Sequence, residues 1–217
     1  MSLTLADTVF AGVHEDGIND FLRAFFGARP RHLVYGTPAF VPTTTVAATS
    51  IPPIAFPGVA GGIDFAIAFS IPEVDLHPDS SGGAWPIKPD PGEFTLRTEV
   101  GLVLACQRGR RRPNDERPPF EPIGVKLEVY ARGRPDVVTF GMGNGEIRLL
   151  LEQIEIVDIR PDELESVIEC LILMMLRAAL QNFVLPFGAL SLEFITLVLK
   201  NGPLIADDQL KVWGDVA

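Results

Sequence analysis

The chain has 217 residues, 47% hydrophobic and 21% charged, with 18 Lys+Arg against 28 Asp+Glu and a net charge of −10. That length suits one domain, residues 1–217, with a real core. The acidic balance argues against nucleic acid, whose phosphates require a basic surface.

The N-terminal stretch "MSLTLADTVFAGVHEDG" lacks the basic and long apolar segments of a secretory signal. Thr8 to His14 reads as a strand. Asp16 is the expected N-cap of a helix whose apolar residues Ile18, Phe21, Leu22, Phe25 and Phe26 share one side. Gly27 and Pro30 stop it. His14 and His32 flank this helix and read as ordinary surface histidines. The Pro-rich segment from Thr37 to Pro57 fits an edge strand or irregular cover.

From Arg31 to Ile159 the dominant period is two, the signature of strands. Ile63, Phe65, Ile67, Phe69 and Ile71 share one face, opposite Asp64, Ala66, Ala68 and Ser70. The next apolar sets are Phe94, Leu96, Val100, Leu102, Leu104 and Cys106, then Ile123, Val125, Leu127 and Val129. In "IRLLLEQIEIVDI" the set begins at Ile147, Leu149 and Leu151, then jumps parity to Ile154 and Ile156. A parity jump inside a strand predicts a β-bulge, which bends the strand. Long strands with one apolar side predict an antiparallel sheet that curls around something.

Pro161 and the acidic residues after it open a second helix, expected to run to about Val184. Its uninterrupted apolar run, Cys170 to Leu176, is far too short to span a membrane, which needs ~20 residues. On a helical wheel Leu164, Ile168, Leu171, Met175 and Ala179 form one stripe. Leu173, Leu176 and Leu180 fall among the polar positions opposite. Such a helix is either wrapped on both sides by protein or faces an apolar ligand or partner, and Met174–Met175 suits a deformable contact. "LSLEFITLVLK", an "NGP" turn and "DQLKVWGDV" close the chain as strands.

Little in the sequence suggests chemistry. There is no G-x-S-x-G elbow and no H-E-x-x-H. "GMGNGE" reads as a hairpin turn, and Asp75, His77 and Asp79 in "DLHPD" read as a solvated turn. Two cysteines, Cys106 and Cys170, are too few for a disulfide scaffold and lack metal-ligand spacing, so reduced thiols and a cytoplasmic setting are expected. Arg108, Arg110, Arg111 and Arg112, with Arg117 nearby, form a basic cluster that is either a solvated hairpin tip or a contact for anionic headgroups or an acidic partner. No enzyme, cofactor, metal or transmembrane segment is expected.

"DTVFAGVHEDGINDFLRAFF" and "FGALSLEFITLVLKNGPLIADDQLKVWGDV" resemble the opening and closing elements of the tubular lipid-binding (TULIP) superfamily, which includes bactericidal/permeability-increasing protein. The first stretch is also similar to bacterial TULIP proteins encoded beside clostridial neurotoxins. The resemblance implies an α+β fold, with a strongly bent antiparallel sheet wrapped around a long helix and an apolar tube for acyl chains between them. It departs in lacking a secretion signal, a clear disulfide and a second module. On this reading the tube is lined by Phe21, Phe25, Phe65, Ile67, Phe69, Leu102, Leu104 and Leu127, and from the long helix by Leu173, Met174, Leu176 and Leu180. Two functions stand: non-catalytic binding of a lipid or other hydrophobic ligand, or a structural subunit that uses its apolar surface for a homodimer or larger assembly.

Overall fold

The computed structural model describes residues 9–41, 47–56, 59–76, 86–106, 122–141, 144–157, 162–186 and 197–216. The order of elements is β1 (Val9–His14), α1 (Glu15–Ala28), a 3-10 turn (Pro30–His32), β2 (Val34–Gly36), β3 (Thr49–Ser50), β4 (Ile54–Phe56), β5 (Val59–Phe69) and β6 (Glu73–Asp75). Then come β7 (Phe94–Cys106), β8 (Ile123–Gly141), β9 (Asn144–Ile156), α2 (Asp162–Gln181), β10 (Val184–Pro186), β11 (Leu197–Ala206) and β12 (Gln209–Val216). Arg108 to Arg112, Arg117, His77 and Asp79 lie outside the described residues.

The alternating segments become long antiparallel strands in one strongly curled sheet of order β10-β9-β8-β7-β5-β2-β3. β4 also pairs with β5, and β6 with β7. Part of the Pro-rich segment supplies β3 at the sheet's edge. β1, β12 and β11 form a second, smaller sheet. Gly141 pairs with Asn144 across the antiparallel β8–β9 ladder, so the flanks of "GMGNGE" are the two arms of a hairpin.

The parity jump in β9 is a register shift. Arg132 faces Gln153 while the next residue, Gly133, faces Leu151, which leaves Glu152 as the extra residue. That single insertion lets Ile147, Leu149, Leu151, Ile154 and Ile156 all reach the core from one strand.

Both helices pack onto the same continuous core as the sheet. α1 contributes Ile18, Leu22 and Phe26. Its N-cap is His14 and not Asp16: the His14 Nδ1 accepts the Asp16 amide at 3.3 Å, and the Glu15 amide donates to the Asp208 carbonyl at 2.9 Å. The helix starts earlier because β1 delivers the chain directly into it. α1 is also tied to β6 through Asn19. Its Nδ2 donates to the Val74 carbonyl at 2.8 Å, and its Oδ1 accepts the Val74 amide at 2.8 Å.

α2 ends at Gln181, because Val184–Pro186 is taken up as β10 opposite Glu146, Ile147 and Arg148 of β9. Its buried row is Ile168, Ile172, Met175, Leu176, Ala179 and Leu180, with Leu171 and Leu173 half-buried at the borders. The stripe is therefore turned relative to the one read from the wheel. A helix apolar nearly all round fixes no stripe by itself, and the packing partner chooses it.

Two further features shape the ends of the sheet. Glu93, just before β7, is buried; its carboxylate accepts the Asp90 amide at 2.7 Å and meets Arg132 and Arg134 of β8 at 3.3 Å each. At the start of β8, Ile123 and Val125 share the parity of buried Leu127 and Val129. They are nonetheless 69% and 40% exposed, for no described residue covers that end of the sheet.

Candidate functional site

β10 accompanies β9 only as far as Arg148, and beyond it α2 runs alongside β9 instead. Arg177 fastens the two. Its Nε donates to the Leu151 carbonyl at 2.9 Å and its Nη2 to the Glu152 carbonyl at 3.1 Å, so the guanidinium satisfies backbone acceptors at the bulge. Between helix and strand lies a groove of about 600 Å³, lined by Arg148–Leu151 of β9 and by Cys170, Leu173, Met174, Arg177, Ala178, Leu180 and Gln181 of α2.

The lining is apolar with two guanidinium groups and no carboxylate. Arg148 is ion-paired with Glu146 beside the groove. Arg177 has no carboxylate within ion-pair distance among the described residues, and its charge is left to the groove. Met174 is 59% exposed and Leu150 48% exposed, high values for large apolar side chains that line one concavity.

A second hollow, of about 430 Å³, opens where α1, the 3-10 turn and β10 meet. It is lined by Phe21, Phe25, Arg29, Arg31, His32, Asn182, Val184 and Pro186. Burial, reinforced by the Arg31 and Arg29 charges, holds the His32 imidazole below its ordinary pKa of 6.5. A third hollow lies over β5, β7 and β8. It carries charges of both signs that compensate one another, with Arg97 Nε donating to the Glu128 carboxylate at 2.7 Å.

No family model matches the chain, and no curated protein matches it. One solved structure, titled "Crystal structure of lipopolysaccharide binding protein", is similar at 15% identity with a TM-score of 0.31, over 72% of this chain and 32% of that one. The chain spans about a third of that protein's length.

The residues expected to line a tube are distributed among three places. Phe65, Ile67, Phe69, Leu102, Leu127 and Leu176 sit in the buried core cluster, with Leu104 half-buried against it. Leu173, Met174 and Leu180 come together in the α2–β9 groove, Leu180 by its buried flank. Phe21 and Phe25 belong to the second hollow.

Sequence reasoning missed Leu150, Arg148 and the role of Arg177. Leu150 carried a signal: in "RLLLE" it is the apolar residue at an outward position of a period-two strand. It also missed a group of half-buried carboxylates, Glu155, Glu165 and Glu169, whose oxygens lie within 4.8 Å of one another. Burial first, and then the Glu155 and Glu165 charges, raise the Glu169 carboxyl above its ordinary value. These three are the described residues placed to hold a cation. Among the described residues, no helix is long and apolar enough to cross a membrane.

Proposed function

We propose that this protein binds, without catalysis, an amphiphile whose hydrocarbon chain lies in the α2–β9 groove. Its polar end would meet the Arg177 guanidinium. The observation that carries this reading is the groove's lining: large exposed apolar side chains and a cation lacking a carboxylate partner, in a chain with ten more acidic than basic residues. Its volume lies within the ~300–1,000 Å³ typical of small-molecule sites. Burying Leu150, Leu173 and Met174 under a chain supplies the driving force, at about 25 cal/mol per Å² of apolar surface removed from water. The lining offers one thiol, Cys170, and no histidine or carboxylate to activate it, which favours a carrier over an enzyme. The TULIP resemblance implies a bent sheet wrapped around a long helix with a tube between them; the curled sheet agrees with that expectation, whereas the groove proposed here lies between α2 and β9 and not inside the sheet.

An organic extract of the purified protein, analysed by mass spectrometry, tests the proposal together with displacement of a fluorescent fatty-acid probe. A bound amphiphile, and probe binding lost in Met174→Asp, are the expected results. A clean extract with no saturable probe binding would overturn it. A dimer by sedimentation in that case would transfer the exposed apolar surface, with Ile123 and Val125, to the assembly reading.

A further inference from the structure

The hollow beside α1 has a different chemistry from the groove and shares no lining residue with it. α1 buries Ile18, Leu22 and Phe26, and this turns Phe21 and Phe25 outward onto Phe183, with ring centroids 5.2 and 5.7 Å away. Phe25 is fixed on several sides. Phe26 meets it edge-on at 5.1 Å, the His32 ring stacks on it at 5.9 Å, and the Arg29 guanidinium carbon lies 4.6 Å from its centroid. The short turn after Pro30 then brings Arg31 and His32 to the same rim.

The charges here are uncompensated, against the trend of the molecule. Arg23, Arg97, Arg132, Arg134 and Arg148 are each ion-paired. Among the described residues Arg29 and Arg31 have no carboxylate partner, and both line this one hollow. The contact with Phe25 orients Arg29 without neutralising it, because a ring face attracts a cation but carries no net charge. Two guanidinium groups present paired N–H donors suited to a carboxylate or phosphate. The aromatic walls of Phe21, which is 42% exposed, and Phe25 suit a flat apolar body, and the volume exceeds what a bare oxyanion fills.

We infer that this hollow is a binding site for an aromatic anion, an aryl phosphate or aryl carboxylate, with Arg29 and Arg31 on the anionic group and Phe21 and Phe25 against the ring. Calorimetry and His32 imidazole NMR with three probes test it: phenyl phosphate, inorganic phosphate and phenol. Phenyl phosphate is expected to bind saturably and shift the His32 signals, with phenol and inorganic phosphate each weaker by about tenfold or more, a loss of about 1.4 kcal/mol. The double substitution Arg29→Gln, Arg31→Gln should weaken phenyl phosphate by at least about tenfold, while Phe21→Ala weakens phenyl phosphate and leaves inorganic phosphate unchanged. Arg29 and Arg31 are exposed, so an unchanged melting temperature accompanies the double substitution, while Phe21→Ala, which loses its contact with Phe183, is compared at a temperature where the variant is fully folded. Absence of saturable binding, full affinity in the double variant, or inorganic phosphate binding as tightly as phenyl phosphate would each overturn the inference.

Discussion

Gly133 lies so close to Leu150 that a Cβ on the glycine would fall 2.1 Å from the Leu150 carbonyl oxygen. The approach is a product of the β9 bulge, where Gly133 pairs with Leu151 and Glu152 is left over. The bulge puts five apolar residues of β9 on one side, and the glycine opposite is what allows it to close.

Gly133→Ala should therefore be costly although it adds one methyl group. The contact is with backbone, which cannot swing aside, and overpacking typically costs ~1–3 kcal/mol. Denaturant unfolding should show a loss of about 3 kcal/mol, at the upper end of that range. A change within ~0.5 kcal/mol would show that the strands do not approach in this way.

Glu93 should give the protein an acid-sensitive fastening. Burial opposes its charge, but the Asp90 amide and the Arg132 and Arg134 guanidinium groups outweigh it and hold the carboxyl below its ordinary 4.5. Between the folded value and 4.5 the unfolded chain binds more protons, so stability rises with pH through that window. The contribution is full above it and gone below the folded value. Glu93→Gln should be less stable than the unsubstituted protein at pH near neutrality, with the gap narrowing as pH falls below 4.5. A gap independent of pH would remove the charge from the explanation.

Along α2, neighbouring side chains should behave differently. Leu176 is fully buried, and its truncation to Ala should cost ~2–5 kcal/mol. Met174 is largely exposed, so Met174→Ala should stay within ~0.5 kcal/mol while reducing fatty-acid probe binding. Equal losses of stability at both positions would mean that α2 is buried all round.

Cys170 is free and exposed, and it lines the groove. It should react with a thiol reagent in the native protein, and a bulky maleimide there should block the fatty-acid probe. Labelling that leaves probe binding intact would move the ligand away from the groove.

Much of the architecture was legible because period and burial coincide in long strands. The jump from Leu151 to Ile154 already contained the bulge. α2 was harder: with Leu173, Leu176 and Leu180 among its polar positions no stripe was unique; the wheel found buried Ile168, Met175 and Ala179, and only tertiary packing adds Ile172, Leu176 and Leu180. The groove was legible in part. Leu173 and Met174 announced it, but Leu150 and Arg148 join them through a tertiary pairing with no sequence period. The second hollow was hidden because Arg29 and Arg31 look like any solvated loop until Phe25 turns outward beneath them.

The side chain of Asn19 stands in for a missing strand. The side-chain amide carries an N–H donor and a carbonyl acceptor side by side, as the peptide units of a neighbouring strand would, and here the Nδ2 donates to the Val74 carbonyl while the Oδ1 accepts the Val74 amide. The side of β6 that faces away from β7 is thus closed by three atoms of a helix instead of being left open to a neighbouring molecule. Neither aspartate nor leucine could do this, since one has no donor at neutral pH and the other has neither group. Asn19→Leu would uncover the Val74 amide and carbonyl, and the expected sign is self-association on concentration before unfolding.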